Sequence, residues 1–259
     1  MNIYRIWGVM FRHLIVNFRN LLRVTDMLYW PFFDFLIWGL VGRWMQSDSG
    51  SGSFMAQLCI ALILWHMTMR PVMEICFGIM EEIWNHNVFN VSVTSLKLSE
   101  WIIALVLLGI IKASIMLFIS SLFVWLVFGV NIFIVGWYLI PFFIILMTSG
   151  CSIGFLVISL IVRWGKMVEN LAWTLSWLFA PLSAVYVPLS VLPASVGTIV
   201  RLLPMTYVFE TMRAVVSGHP FPSYYLWLGL GLGIFYLSLS LMLFVFMLNK
   251  SRARGLARL

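Results

Sequence analysis

Long apolar runs alternate with short polar intervals along the whole chain. The runs cover residues 27–44, 54–77, 101–128, 137–161, 167–186 and 224–248. A helix needs roughly 20 apolar residues to cross a bilayer, and these runs are of that order. None shows the period-two alternation that a membrane barrel strand requires. The pattern predicts an all-α polytopic membrane protein with six transmembrane helices, forming one transmembrane domain over residues 1–259. Pro31 follows Trp30 near the entry of the first run, where a first-turn proline sacrifices no hydrogen bond.

Residues 3–24 follow a different rhythm. Arg5, Arg12, Arg19 and Arg23 fall within an arc of roughly 40° on a helix turning about 100° per residue. Trp7, Met10, Phe11, Leu14, Phe18, Leu21 and Leu22 cluster on the opposite side. A basic stripe against an aromatic-rich face predicts an amphipathic helix in the membrane interface, with its arginines toward lipid phosphates.

Two polar intervals stand out. The first, 78–100, holds Glu81, Glu82, Asn85, His86, Asn87, Asn90, Lys97 and Glu100, and its residues 80–89 fit a short helix. The second, 187–222, holds Pro188, Pro193, Pro204, Arg201, Glu210 and Arg213, more helix breakers and charges than a plain loop needs. The interval 46–53 is a flexible Ser/Gly connection, and no Gly-Lys-Ser/Thr follows to make it a phosphate loop.

Composition agrees with this organisation. Of 259 residues, 63% are hydrophobic and 10% charged, with a mean hydropathy of +1.03, against about 25% charged in an average soluble domain. The net charge of +7 is not read as a nucleic-acid signal, because the basic residues sort by side. The N-terminal segment, the 78–100 interval, the loop at Arg163 and Lys166 and the tail from Lys250 hold most of them. The intervening loops hold Arg43, Arg201 and Arg213. The positive-inside rule then places both termini in the cytoplasm of a multi-pass plasma-membrane protein, such as one of a bacterial inner membrane. Trp30, Trp44, Trp101, Trp137, Trp164 and Trp227 lie near run ends, as an aromatic belt requires. Basic residues continue to Arg23 without a cleavable apolar core, so no signal peptide is expected. Cys59, Cys76 and Cys151 sit inside apolar runs and are read as packing residues. No hydropathy repeat relates the two halves, which weighs against an inverted-repeat carrier.

Asp34, Arg70, Glu74 and Lys112 fall within or beside apolar runs, where an ionisable group is costly and suggests function. Arg70 and Glu74 are one turn apart and suited to pair. Asp34 and Arg70 sit at similar depth and are alternative partners across the first two runs. Lys112 has no evident partner, although its stem can snorkel. His66 fits a hydrogen-bonded core histidine, since no metal-ligand spacing surrounds it. Gly150, Ser152, Gly154, Gly229, Gly231 and Gly233 fit close helix packing. There is no Walker A motif, no HExxH and no nucleophile with a His and carboxylate around it. The chain is therefore expected to be no enzyme, with neither catalytic nor metal site. Any energy for pumping comes from a partner or an ion gradient.

The stretches Pro181-Leu-Ser-Ala-Val-Tyr-Val-Pro-Leu-Ser-Val-Leu-Pro193 and Leu203-Pro204-Met-Thr-Tyr-Val-Phe-Glu210-Thr-Met-Arg213 resemble the C-terminal signature of type-2 ABC exporter permeases. That pattern is a proline-rich stretch, a proline before a short polar step, then Glu-x-x-Arg. The resemblance implies an N-terminal interface helix, a cytoplasmic coupling helix between spans two and three, and a re-entrant outer hairpin over 187–222. Glu81-Glu82-Ile-Trp-Asn-His-Asn-Val-Phe-Asn90 is similar to the coupling segment, so Glu81, Glu82, Trp84, Asn85 and Asn87 are the implied contacts to an ATPase. Ser95-Leu96-Lys97 lacks the proline often found at the end of that segment. Pro188, Pro193 and Pro204 would bend an outer gate that Glu210 and Arg213 staple.

Such permeases pair two membrane subunits, here a second copy or a similar chain, with two copies of a cytoplasmic ATPase that binds ATP and Mg. The implied activity is export of an amphiphile, such as a drug-like compound, a lipid or a lipid-linked glycan. An ion-coupled secondary transporter using Asp34, Arg70 and Glu74 is the alternative, and a membrane assembly factor without transport is a third reading.

Overall fold

The computed structural model describes the backbone of residues 2–19, 21–49, 54–85, 94 and 96–253. Among these residues the chain forms nine α-helices and no strand. They are α1 (Ile3–Arg19), α2 (Leu21–Ser49), α3 (Phe54–Trp84), α4 (Leu98–Phe128), α5 (Leu139–Trp164), α6 (Glu169–Leu182), α7 (Ala194–Val200), α8 (Pro204–Val216) and α9 (Tyr224–Ala253). Short 3-10 turns at Ile132–Tyr138, Gly165–Val168 and Leu189–Val191 join them.

Four stretches are long and apolar enough to cross a membrane: α3, α4, Ile132–Trp164 ending in α5, and Tyr224–Ser251 within α9. The other two expected spans look different. The first is part of α2, which has 29 residues but carries Asp34 and Arg43 and is less apolar than those four. The other is α6, whose 14 residues reach about 21 Å at 1.5 Å per residue, short of a hydrocarbon core of roughly 30 Å.

Helix starts also differ from the sequence expectation. The amphipathic segment expected over 3–24 is divided: α1 ends at Arg19, and Arg23 belongs to α2. Because α2 begins at Leu21, Pro31 lies well inside it rather than in a first turn. There its missing N–H removes a backbone hydrogen bond.

The core is built around α3, which is buried along most of its length and packs against α2, α4, α5 and α8. Next to it, α5 is sandwiched between α3 and α9. Helices α4 and α9 bury one side and leave Phe118, Trp125, Trp227, Phe235 and Met242 exposed, as suits surfaces facing lipid tails. Small residues bring these helices together, as expected where packing rather than hydrophobic exclusion drives association. A Cβ at Gly109 of α4 would lie 2.9 Å from the Pro71 Cα, and one at Gly150 of α5 would strike the Thr68 carbonyl and the Pro71 ring. Pro71 of α3 thus sits between two glycines that alone leave room for it. Gly233 of α9 repeats the device against Thr148 of α5, whose Oγ1 would be 2.6 Å from an added Cβ. Buried hydroxyls of α5 donate to their own helix, as Ser149 does to the Ile145 carbonyl at 2.7 Å and Ser152 to the Thr148 carbonyl at 2.7 Å, which satisfies them without water.

Candidate functional site

Three clusters of charged and polar side chains occur at different heights of the bundle. At one end, α3 runs unbroken through Glu81, Glu82 and Trp84 to a turn at Asn85, whose N–H donates to the Glu81 carbonyl at 3.0 Å. The expected short helix from residue 80 therefore begins as a continuation of α3. Asn87 and the rest of 86–93 lie outside the described residues. Glu82 is 2% exposed and forms an ion pair with Arg12 of α1. It is therefore not an open contact for a partner: a buried carboxylate needs a cation, and α1 supplies it. Trp84 and Asn85 remain exposed, and Glu81 is half-buried.

The start of α4 mirrors this arrangement. Glu100 is 1% exposed and accepts hydrogen bonds from the backbone N–H of Asn2 at 2.8 Å and of Lys97 at 3.1 Å. Arg5 Nη1 lies 3.7 Å from its second oxygen. Capping its own helix while holding the N-terminus, Glu100 ties α1 to α4. Ile6, Met10 and His13 are buried, and α1 packs on α4. Arg5 and Arg12 thus turn to protein carboxylates instead of the lipid phosphates expected for them. Met10, expected on the lipid side, is in the core. Ile3, Tyr4, Trp7, Phe11, Ile15 and Val16 are exposed apolar residues of α1.

Inside the bundle, His66, Arg70 and Glu74 stand one turn apart along α3. His66 is 2% exposed, and its Nε2 lies 3.1 Å from Asp34 Oδ2 on α2, a contact made off the ideal donor line. The Phe35 ring sits edge-on to the imidazole, with centroids 5.4 Å apart. Lys112 of α4 donates to Glu74 at 2.6 Å, and both side chains are largely shielded. The partner that Lys112 lacks in the sequence is thus Glu74, one of the two carboxylates the spacing offers to Arg70. Asp34 has His66 as a neighbour one turn before Arg70. The signal for both partners was the i, i+4, i+8 spacing of His66, Arg70 and Glu74, a ladder turning from the α2 side of α3 toward α4.

At the opposite end of α3, the proline-rich interval folds into three short helices. Pro188 precedes the 3-10 turn, Pro193 caps α7, and Pro204 opens α8. Each proline starts a helix rather than bending one, consistent with its fixed φ and absent N–H. Glu210 and Arg213 do pair, at 3.0 Å. Their reach extends further than that pair. Arg213 Nη2 donates to the carbonyls of Ala184 and Val185, the latter at 2.8 Å, and Glu210 accepts from the Leu189 N–H at 2.9 Å. Ala184 has φ 58°, a left-handed conformation costly for a residue with a Cβ. The guanidinium binds the chain where it makes that turn. Gln57 Nε2 donates to Ser217 Oγ at 2.7 Å and ties the end of α8 to the start of α3.

Against protein-family models and against curated proteins, the sequence gives no match.

Proposed function

We propose that the chain is the membrane permease subunit of an ATP-driven exporter of the type-2 ABC class. Two permease subunits, identical or similar, work with two copies of a cytoplasmic ATPase, in the plasma membrane of a bacterium and with both termini inside. In this reading α2 and α6 complete six spans, and the 187–222 interval is a re-entrant cap on the outer side. The substrate is an amphiphile taken from the cytoplasm or inner leaflet. ATP and Mg belong to the partner.

The observation that carries the reading is the double clasp of α1, Arg12 to Glu82 and Arg5 to Glu100. It braces the end of α3 and the start of α4 on either side of the coupling-like segment. A push on that segment is then transmitted to two long helices together instead of being lost in a loop. The Glu210–Arg213 latch, inside the signature that resembles the family, supports the reading at the other end.

The intramembrane contacts at Asp34 and Glu74 favour the ion-coupled alternative, so the test has to separate energy sources. Purification in mild detergent should bring down an ATPase, and vesicles depleted of ATP should lose export even with an ion gradient imposed. Full transport by ATP-depleted vesicles, abolished by a protonophore, would sink the ATP-driven reading and leave the carrier standing.

A further inference from the structure

One group of residues belongs neither to the clasp nor to the latch, yet connects the membrane-depth charges to the cap. Asp34 and Trp38 are one turn apart on α2 and share a face. The Trp38 ring stacks on Tyr186, with centroids 4.9 Å apart and planes at 29°. Tyr186 lies in the segment held by Arg213 and Glu210, so the latch fixes where this ring stands. It is also within electrostatic reach of the Asp34 carboxylate. All three side chains are partly exposed, Asp34 by 26%. The other titratable and charged groups beside them on α3 are His66, facing Asp34 Oδ2, and Arg70 one turn beyond.

A partly open carboxylate at membrane depth attracts positive charge to its exposed side. The outer face of each ring in the Trp38–Tyr186 stack carries negative potential and adds attraction for the same charge. Carboxylate and ring faces together favour a cation on an apolar body and disfavour an anion of equal size. Ile37, three positions from Asp34 and exposed, offers apolar surface to that body.

We propose that Asp34, Trp38 and Tyr186 form a binding site for lipophilic cations, ammonium or phosphonium centres bearing apolar groups. The proposal deepens the export reading by naming a substrate class, and it rests on that reading for transport, whereas the binding requires no ATPase.

The test uses two probes of one shape and opposite sign, tetraphenylphosphonium and tetraphenylborate. Their binding to the full chain in nanodiscs of zwitterionic lipid is measured by equilibrium dialysis, and the uptake by empty nanodiscs of the same lipid is subtracted, because the interfacial dipole potential alone draws the borate into lipid. The phosphonium should bind about tenfold more tightly than the borate, a difference of about one carboxylate contact. Trp38→Leu and Tyr186→Leu should each weaken phosphonium binding about three- to tenfold and narrow its advantage over the borate. Asp34→Asn should remove the preference for the cation. That variant also alters the His66 contact, so its elution profile is checked, and the two ring variants decide the matter if it misfolds. Equal affinity for the two ions, or phosphonium binding indifferent to both ring substitutions, overturns the proposal. Either result leaves the export reading intact, because that reading depends on the separate ATP-depletion test.

Discussion

Arg213 illustrates how much one side chain can hold when its donors are rigidly forked. It engages the Glu210 carboxylate and two backbone carbonyls, with only 11% of its side chain exposed. A lysine carries comparable charge but not the planar fork, so the exchange is not conservative here. Arg213→Ala should destabilise the protein by about 3 kcal/mol, since it strands a partly buried carboxylate and two carbonyls. Arg213→Lys should recover less than half of that loss. Thermal unfolding in detergent measures both, and full recovery by lysine would show that charge alone matters. For Glu74 and Lys112 the logic is a cycle. Either residue changed singly to methionine leaves its partner unpaired and should cost about 3 kcal/mol, whereas the double change should cost far less. Additive losses in the same melts would show that the pair is not coupled. Sequence spacing revealed the Glu210–Arg213 pair, three residues apart. It did not reveal Lys112 with Glu74 or Arg213 with Ala184, because those contacts join residues 38 and 29 positions apart, and tertiary packing alone creates them.

At the scale of the element, α1 has three faces where its sequence suggests two. Placed at about 100° per residue, Ile6, Met10 and His13 form the buried arc. Arg5, Arg12 and Arg19 flank it on one side, and Ile3, Trp7 and Phe11 flank it on the other. Amphipathicity was legible in the sequence, because periodicity records which residues avoid water. Periodicity does not separate burial in protein from burial in lipid, and so Met10 and the arginines were read as facing lipid. The same limit explains α2: an apolar run marks the middle of a helix, not the polar turns by which it starts at Leu21. Two buried carboxylates now define the docking of α1. Glu82→Arg combined with Arg12→Glu should restore an attachment that either reversal alone breaks. Limited proteolysis within the first twenty residues would detect it, with cleavage fast in each single variant and slow in the double. Equal cleavage in all four proteins would show that the apolar face alone holds α1 in place.

Across the whole molecule, α3 and α4 are 31-residue rods, each about 46 Å long at 1.5 Å per residue, exceeding a hydrocarbon core of roughly 30 Å. Gly109 locks α4 to α3 at close range, and Gly150 and Gly154 lock α5 to α3, so a displacement at one end has little slack to absorb it. The Gln57–Ser217 bond joins the other end of α3 to α8, and the latch joins α8 to the chain at 184–189. Within the proposed function, an input between α3 and α4 moves the helices and the cap together. The surface for that input is narrower than the sequence implied, since Glu82 is committed to α1 while Trp84 and Asn85 stay open. Changing Glu82 should therefore damage stability and coupling together, whereas changing the open pair should damage coupling alone. If the proposed ATPase partner is present, Trp84→Ala with Asn85→Ala should lower export about tenfold or more, as loss of an exposed aromatic anchor at an interface does. The melting temperature of the isolated permease should stay within about 2 °C of the parent, as for surface substitutions away from a packed core. Normal export by that double variant, with ATP hydrolysis still linked to transport, would move the contact to residues 86–93 or elsewhere on the cytoplasmic face. Reduced export with a lowered melting temperature would mean that Trp84 belongs to the fold rather than to the contact.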